Sequence, residues 1–355
     1  MKKVLLGVML VAALGACVNN EMKTETNQQA GKEQTVDKTK SVMVTKTNFK
    51  EAETNAYFMK QWKKQGEKAN VLVHERKFVT VETQDVVRMN RDTLYSRSII
   101  DVSEGATISL EKYEGYQTVL ILDSHHNQVA SIQNGESLTI DKDNPEIEEG
   151  EFLYVLARTG VNTGEDGLKD AHAAQDKINI EAKSAQEWIP KNFDKESLDI
   201  VNVELQKDFA SKPYRLENGF GTKNYVDFET ATVASALGWG GYAKEQAVYS
   251  LFNNDKPITV TFEKPDLDFD NYAFYSITVY DKTGWIATKE FAINSSNMEP
   301  NADGSYTVNF GKPGTKNNLD IPEGRYTGGI RAYMPKNVDE TLDWAYKSAD
   351  KIKNK

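Results

Sequence analysis

The sequence predicts an α+β, mainly β protein. It would have two antiparallel β-sandwich, jelly-roll-like domains, an intervening helical layer and a C-terminal helix. Three observations carry that prediction. Short β-prone runs separated by turn clusters fill residues 78–158, a spacing that suits antiparallel sheets and not βαβ units. Similar runs return from Pro257 onward. Between them, apolar residues recur three and four apart, which is the helical period.

The chain begins with a basic Met1-Lys2-Lys3, an apolar run Val4–Ala13, and Leu14-Gly15-Ala16-Cys17. The apolar run is too short to span a bilayer and has signal-peptide length. The four residues after it resemble a bacterial lipobox, so residues 1–16 are expected to be a lipoprotein signal peptide. Cys17, the sole cysteine, would carry the lipid. One acyl chain holds a protein only marginally, whereas several on one residue anchor it stably. The expected location is the cell envelope, facing away from the cytoplasm. Val18, where an aspartate would favour retention at the inner membrane, points to the periplasmic side of an outer membrane if the source has one.

Residues 17–46 read as a lipidated cysteine and flexible tether, because Val18–Lys46 has too few apolar residues to offset its ordering. Residues 47–160 read as the first β-sandwich domain with a leading helix over Asn48–Lys64. Its strands are expected at Phe78–Val81, Val86–Met89, Tyr95–Val102, Thr107–Leu110, Thr118–Leu122, Val129–Ile132, Ser137–Ile140 and Phe152–Arg158. Residues 161–252 read as helical. One stripe runs from Leu168 to Ile189 and is closed by Pro190. A second runs from Leu198 to Phe209, and two more helices, Asp227–Leu237 and Tyr242–Phe252, flank a glycine-rich break. Residues 253–355 read as the second β-sandwich domain, with Asp281-Lys282-Thr283-Gly284 as a hairpin turn and a final helix over Val338–Ile352.

Composition sets limits on function. Hydrophobic residues make up 39% and charged residues 27% of the 355, and the formal net charge is −10. Removing the first 16 residues takes away Lys2 and Lys3 and no acid, so −10 becomes −12. That balance argues against nucleic acid, whose phosphates need clustered cations. No Walker-type loop, dinucleotide-binding glycine loop or G-x-S-x-G elbow occurs, and no cofactor is expected.

Asn90-Arg91-Asp92-Thr93-Leu94-Tyr95-Ser96, followed by Asp101-Val102-Ser103, resembles the hallmark of the bacterial domain of unknown function 1254, to which Leu122-Asp123 and Arg158-Thr159 are also similar. Trp239-Gly240, Ala247-Val248-Tyr249, Tyr275–Asp281, Asp303-Gly304-Ser305, Pro322-Glu323-Gly324 and Ile330–Pro335 resemble the partner domain of unknown function 1214. Tyr275 stands where that partner usually has tryptophan. The likeness spans roughly residues 75–336. It implies two β-sandwich domains with helical additions, and export, but no established activity.

Two functional readings stay open. In one, a non-catalytic envelope protein binds a small molecule, glycan or protein partner in a cleft near Asn90–Tyr95. The candidate ligand-binding residues are Asn90, Arg91, Thr93, Asp123, Arg158 and Arg331. The last two are cations that end or interrupt apolar strands, either paired or facing a pocket. In the other reading, an envelope hydrolase uses Asp92 as acid or base, assisted by Tyr95 or His125. The competing structural account has Asp92 capping a turn and Arg91 pairing with a carboxylate. His125 and His126 adjoin a strand end, but adjacent strand residues face opposite ways and only His74 and His172 remain elsewhere, so no metal site is expected. The aromatics Trp239, Tyr242, Tyr275 and Trp285 read as core.

Overall fold

A leading helix and four β-sheets organise the computed structural model, which describes residues 41–211 and 215–353. Helix α1 (Phe49–Lys64) precedes strands β1 (Val73–His74), β2 (Thr93–Asp101), β3 (Ala106–Ser109), β4 (Gln117–Leu122), β5 (Gln128–Gln133), β6 (Ser137–Ile140) and β7 (Phe152–Gly160). Then come α2 (Gly167–Asp176), β8 (Asn179–Ala182), α3 (Lys195–Ser211) and α4 (Phe228–Leu237). The second half contains β9 (Ala247–Asn254), β10 (Ile258–Phe262), β11 (Tyr275–Asp281), β12 (Ala292–Asn294), β13 (Tyr306–Phe310), β14 (Asn318–Leu319), β15 (Tyr326–Tyr333) and α5 (Val338–Ile352).

The first half pairs a five-stranded sheet, ordered β1-β2-β7-β4-β5, with a three-stranded one, β6-β3-β8. The second pairs β12-β11-β15-β9 with β10-β13-β14. All pairings are antiparallel except β13 with β14. The expected mainly β, α+β class is what the structure shows, with two β-rich halves.

Side-chain alternation explains the stacking. In β7, Leu153, Val155 and Ala157 enter an aliphatic core with Ile100, Ile108 and Val119. Tyr154 and Leu156 instead join a second core that reaches Phe58 of α1 and Tyr280 and Tyr333 of the second half. The large first-half sheet is therefore covered on both faces, and its central strands read as unbroken buried runs. In β15, Ile330 and Ala332 face the second sandwich core, leaving Arg331 and Tyr333 on the face towards the first half. Helices α1, α3 and α4 pack through Phe49, Val201, Leu205 and Val233, and α5 covers β9 through Leu342 and Ala345. No helix among the described residues is long and apolar enough to cross a membrane.

Several sequence expectations are corrected. The stripe from Leu168 to Ile189 is not one helix: α2 ends at Asp176 and β8 follows. β3 requires a second neighbour, and Ile108 of β3 is paired with Ile180; that tertiary demand overrides the helical period. Tyr242–Phe252 is not a helix either. Its apolar residues form β9, which pairs with β15 along its whole length. Segment 161–252 therefore contains strands as well as helices. Phe78–Val81, Val86–Met89 and Trp285–Thr288 are irregular; they lie over the sheets and do not join them. Of the tether, residues 41–46 pack on the domain, with Val42 bridging to Phe193 and Val44 buried. The signal peptide, Cys17 and the rest of the tether lie outside the described residues.

Candidate functional site: an arginine–tyrosine cavity between the halves

Register places two rows of side chains opposite one another. On the first-half sheet, Tyr95 of β2 and Thr118 of β4 flank Arg158 of β7 as direct cross-strand neighbours. On the second-half sheet, Tyr249 of β9 and Ser276 of β11 flank Arg331 of β15. Each strand carries its arginine on the inner face of an otherwise apolar run. Between the sheets lies a cavity of about 100 Å3, closed by Val86–Asn90 on one side and by Gly238–Gly241 on another.

Among the described residues, four arginines, Arg88, Arg97, Arg158 and Arg331, and no Asp, Glu or His line this cavity. Arg97 is compensated, since its Nη1 donates to Glu75 at 2.8 Å and Asp85 at 3.1 Å. Arg331 donates to Thr278 Oγ1, Tyr280 Oη and the Arg88 carbonyl. Arg88 donates from Nη1 to the Leu237 carbonyl, and burial draws its guanidinium down to about 10. Arg158 differs. It is 5% exposed, and its one bond runs from Nη2 to the Gly240 carbonyl at 2.6 Å. Among the described residues its Nε and Nη1 have no partner. Its guanidinium lies over the rings of Tyr242 and Tyr95, at 4.6 and 5.8 Å.

Hydroxyls and one amide complete the polar wall. Tyr95 Oη donates to Asn90 Oδ1, and Asn90 Nδ2 donates to Tyr333 Oη at 2.8 Å. The Asp92 amide also donates to Asn90 Oδ1, which fixes which end of that side chain is which. Tyr249 Oη accepts from the Tyr242 amide. Gly240 makes the close approach to Arg158 possible: its φ is +77°, and a Cβ there would meet Leu156 at 2.8 Å. Beside it, buried His126 accepts from the Gly240 amide through Nε2, is bonded to Ser235 through Nδ1, and stacks on Trp239. Burial holds its imidazole down to about 3.

Two family models match the sequence, Protein of unknown function (DUF1254) over residues 69–182 and Protein of unknown function (DUF1214) over residues 242–337. The first model falls on the N-terminal β-rich half and the second on the C-terminal one. The DUF1254 half supplies β2 and β7 to the cavity, and the DUF1214 half supplies β9 and β15. No curated protein matches the sequence. The crystal structure of the VPA0106 protein from Vibrio parahaemolyticus is similar, at 15% identity with a TM-score of 0.60, over 84% of this chain and 95% of that one. A putative uncharacterized protein from Burkholderia cenocepacia is similar at 13% identity and a TM-score of 0.48, over 82% and 84%. The Vibrio likeness shows the fold.

Within the DUF1254 half, the hallmark run separates into roles. Asn90 and Tyr95 line the cavity, as do Arg158 and, from the DUF1214 half, Arg331. Asp92 is buried behind it, accepting from Ser276 Oγ at 2.6 Å and Asn294 Nδ2 at 3.3 Å; burial pushes its carboxyl above the ordinary value. Arg91 lies over the rings of Phe78 and Phe291, not on a carboxylate. Thr93 is buried with its hydroxyl unpartnered. Asp123 accepts from the amides of His125, Asn127 and Glu148 and so fixes the turn between β4 and β5. His125 lies near Glu51 and Glu149, not near Asp92. The latter trio could approach one cation, but the Lys191 ammonium already lies 2.5 Å from Glu51 and 3.1 Å from Glu149.

The sequence reading missed Arg88, Arg97, Tyr249 and Tyr333. Arg97 had the same signal that marked Arg158 and Arg331, a cation inside an apolar strand. Tyr249 was hidden by the assignment of its strand as helix, and Trp239, read as core, forms part of the wall.

Proposed function

We propose that this chain is a cell-envelope binding protein, held at a bilayer by lipid on Cys17, that takes a small molecule into the cavity between its two halves. The observation that carries this is the cavity itself: about 100 Å3 walled by both halves, largely apolar, with a few convergent polar groups. Such a combination is the usual form of a small-molecule site. Its size favours a small molecule over a glycan or a protein partner. Against hydrolysis by Asp92, that carboxylate is engaged by Ser276 and Asn294, and among the described residues no acid or imidazole lines the cavity to move a proton. The anchoring part rests on Leu14-Gly15-Ala16-Cys17.

The test is a thermal-shift screen of a chemically diverse small-molecule set on the full chain and on Leu251→Trp, which fills the cavity. A compound that raises the melting temperature of the wild type but not of the filled variant supports the reading; shifts that survive the filling overturn it. For the anchor, cells fed labelled palmitate should label the wild type and not Cys17→Ala. An unlabelled wild type would remove that part.

A further inference from the structure

We propose that the cavity's ligand is a small organic carboxylate with an apolar body, its carboxylate received by Arg158; this deepens the binding reading above and rests on it. The argument is an account of charges and protons. Of the four cavity arginines, Arg97 is neutralised by Glu75 and Asp85. Arg331 has Asp92 behind it, since Asp92 is bonded to Ser276, the cross-strand neighbour of Arg331. Among the described residues neither Arg88 nor Arg158 has a carboxylate partner, and Arg158 is the more deficient, with two unmet nitrogens against the one of Arg88. A guanidinium does not shed its proton in a protein, so a full positive charge is buried there.

The protein alone leaves this charge under-compensated. Stacking on the tyrosine rings and one charge-assisted bond to the Gly240 carbonyl offset only part of the desolvation of a buried guanidinium, and each unmet N–H adds to that cost. Arg158 has two such groups, Nε and Nη1.

The hydroxyls point the same way. Tyr333 Oη accepts from Asn90 and Tyr249 Oη accepts from the Tyr242 amide, and neither hydroxyl donates to any described residue. Arg88 Nε is also unpartnered. The cavity therefore has a surplus of donors and a deficit of acceptors. A ligand that fits must bring acceptors and negative charge, and a carboxylate supplies both in the planar fork that a guanidinium matches.

The rest of the wall sets the other end of the molecule. Leu216, Phe220, Ala234, Leu237 and Leu251 line the cavity and belong to the helical layer's apolar cluster or pack against it. At about 10–15 Å3 per water-sized group, the space holds about seven to ten non-hydrogen atoms. Benzoate and hexanoate have that size and polarity.

The experiment titrates the full chain at pH 7 by calorimetry with benzoate and hexanoate, and with their uncharged counterparts benzamide and hexanamide. At least one acid should bind at least tenfold more tightly than its amide. That preference should vanish in Arg158→Met and shrink without vanishing in Arg158→Lys, which keeps the charge but loses the fork. An amide that binds as well as its acid, an Arg158→Met protein that still prefers the acid, or no binding by any of the four overturns the carboxylate assignment. None of these outcomes touches the cavity reading, which the diverse screen decides separately. An acid that binds Leu251→Trp as well as wild type overturns both.

Discussion

Arg158 places stability and binding in opposition. Replacing an unpaired buried ion by an apolar side chain of similar length is often neutral or stabilising. Arg158→Met should therefore melt no lower than wild type, and up to about 1–2 kcal/mol more stable in denaturant titration, while losing the acid preference. Asp92 should behave in the opposite way. Asp92→Ala leaves Ser276 Oγ and Asn294 Nδ2 without an acceptor and Arg331 without its counter-charge. The expected cost is about 2–4 kcal/mol, read from the urea midpoint at unchanged slope. His126 supplies a pH signature. Its folded-state value, about 3, lies below that of an unfolded histidine, near 6.5. The unfolded chain therefore takes up a proton first, and the contribution present above pH 6.5 is lost as pH falls towards 3. The loss should reach about 5 kcal/mol once pH falls below about 3, and His126→Gln should remove that part of the slope in melts at pH 7, 5 and 4. Legibility at this scale followed the strand pattern. Arg158 and Arg331 stood out because a cation breaks a buried run. Asp92 stood out equally, yet nothing in Asn90–Tyr95 tells which side chains face a cavity and which are bonded to a distant strand such as β11.

At the level of elements, the sequence reading succeeded where a segment's period was backed by its own caps. The final helix was expected at Val338–Ile352 and lies there, with Asn337 accepting from the amides of Asp339 and Glu340. Asp227 likewise caps α4 through the Thr230 amide. The reading failed at β8 and β9, where residues three and four apart also fit alternation over a short run. In both, the decision lay with a distant strand, β3 or β15, that no local window contains. The Gly238–Gly241 segment was expected as a break in helices, but its function is closer to that of a ring of contacts, since Gly240 serves Arg158 and His126 together. Gly240→Ala should cost about 1–3 kcal/mol for its left-handed backbone and weaken carboxylate binding, both measurable on one preparation.

For the whole molecule, the two-sandwich expectation was legible because turn clusters and short runs recur on either side of a helical middle. How closely the halves join was not legible. Tyr280, Phe291 and Tyr333 of the second half share a core with Tyr95, Leu120 and Tyr154 of the first, and residues 41–355 form one unit. Heating should accordingly produce a single transition, with calorimetric and van't Hoff enthalpies equal. Two resolved peaks would show that the shared core does not couple the halves.

A chamber with walls on either side of a seam belongs to neither of the pieces that meet there. A gene fragment encoding one sandwich would inherit half a mouth and no throat. Any change that loosens the join, however far from Arg158, would be felt by the guest as a door left ajar.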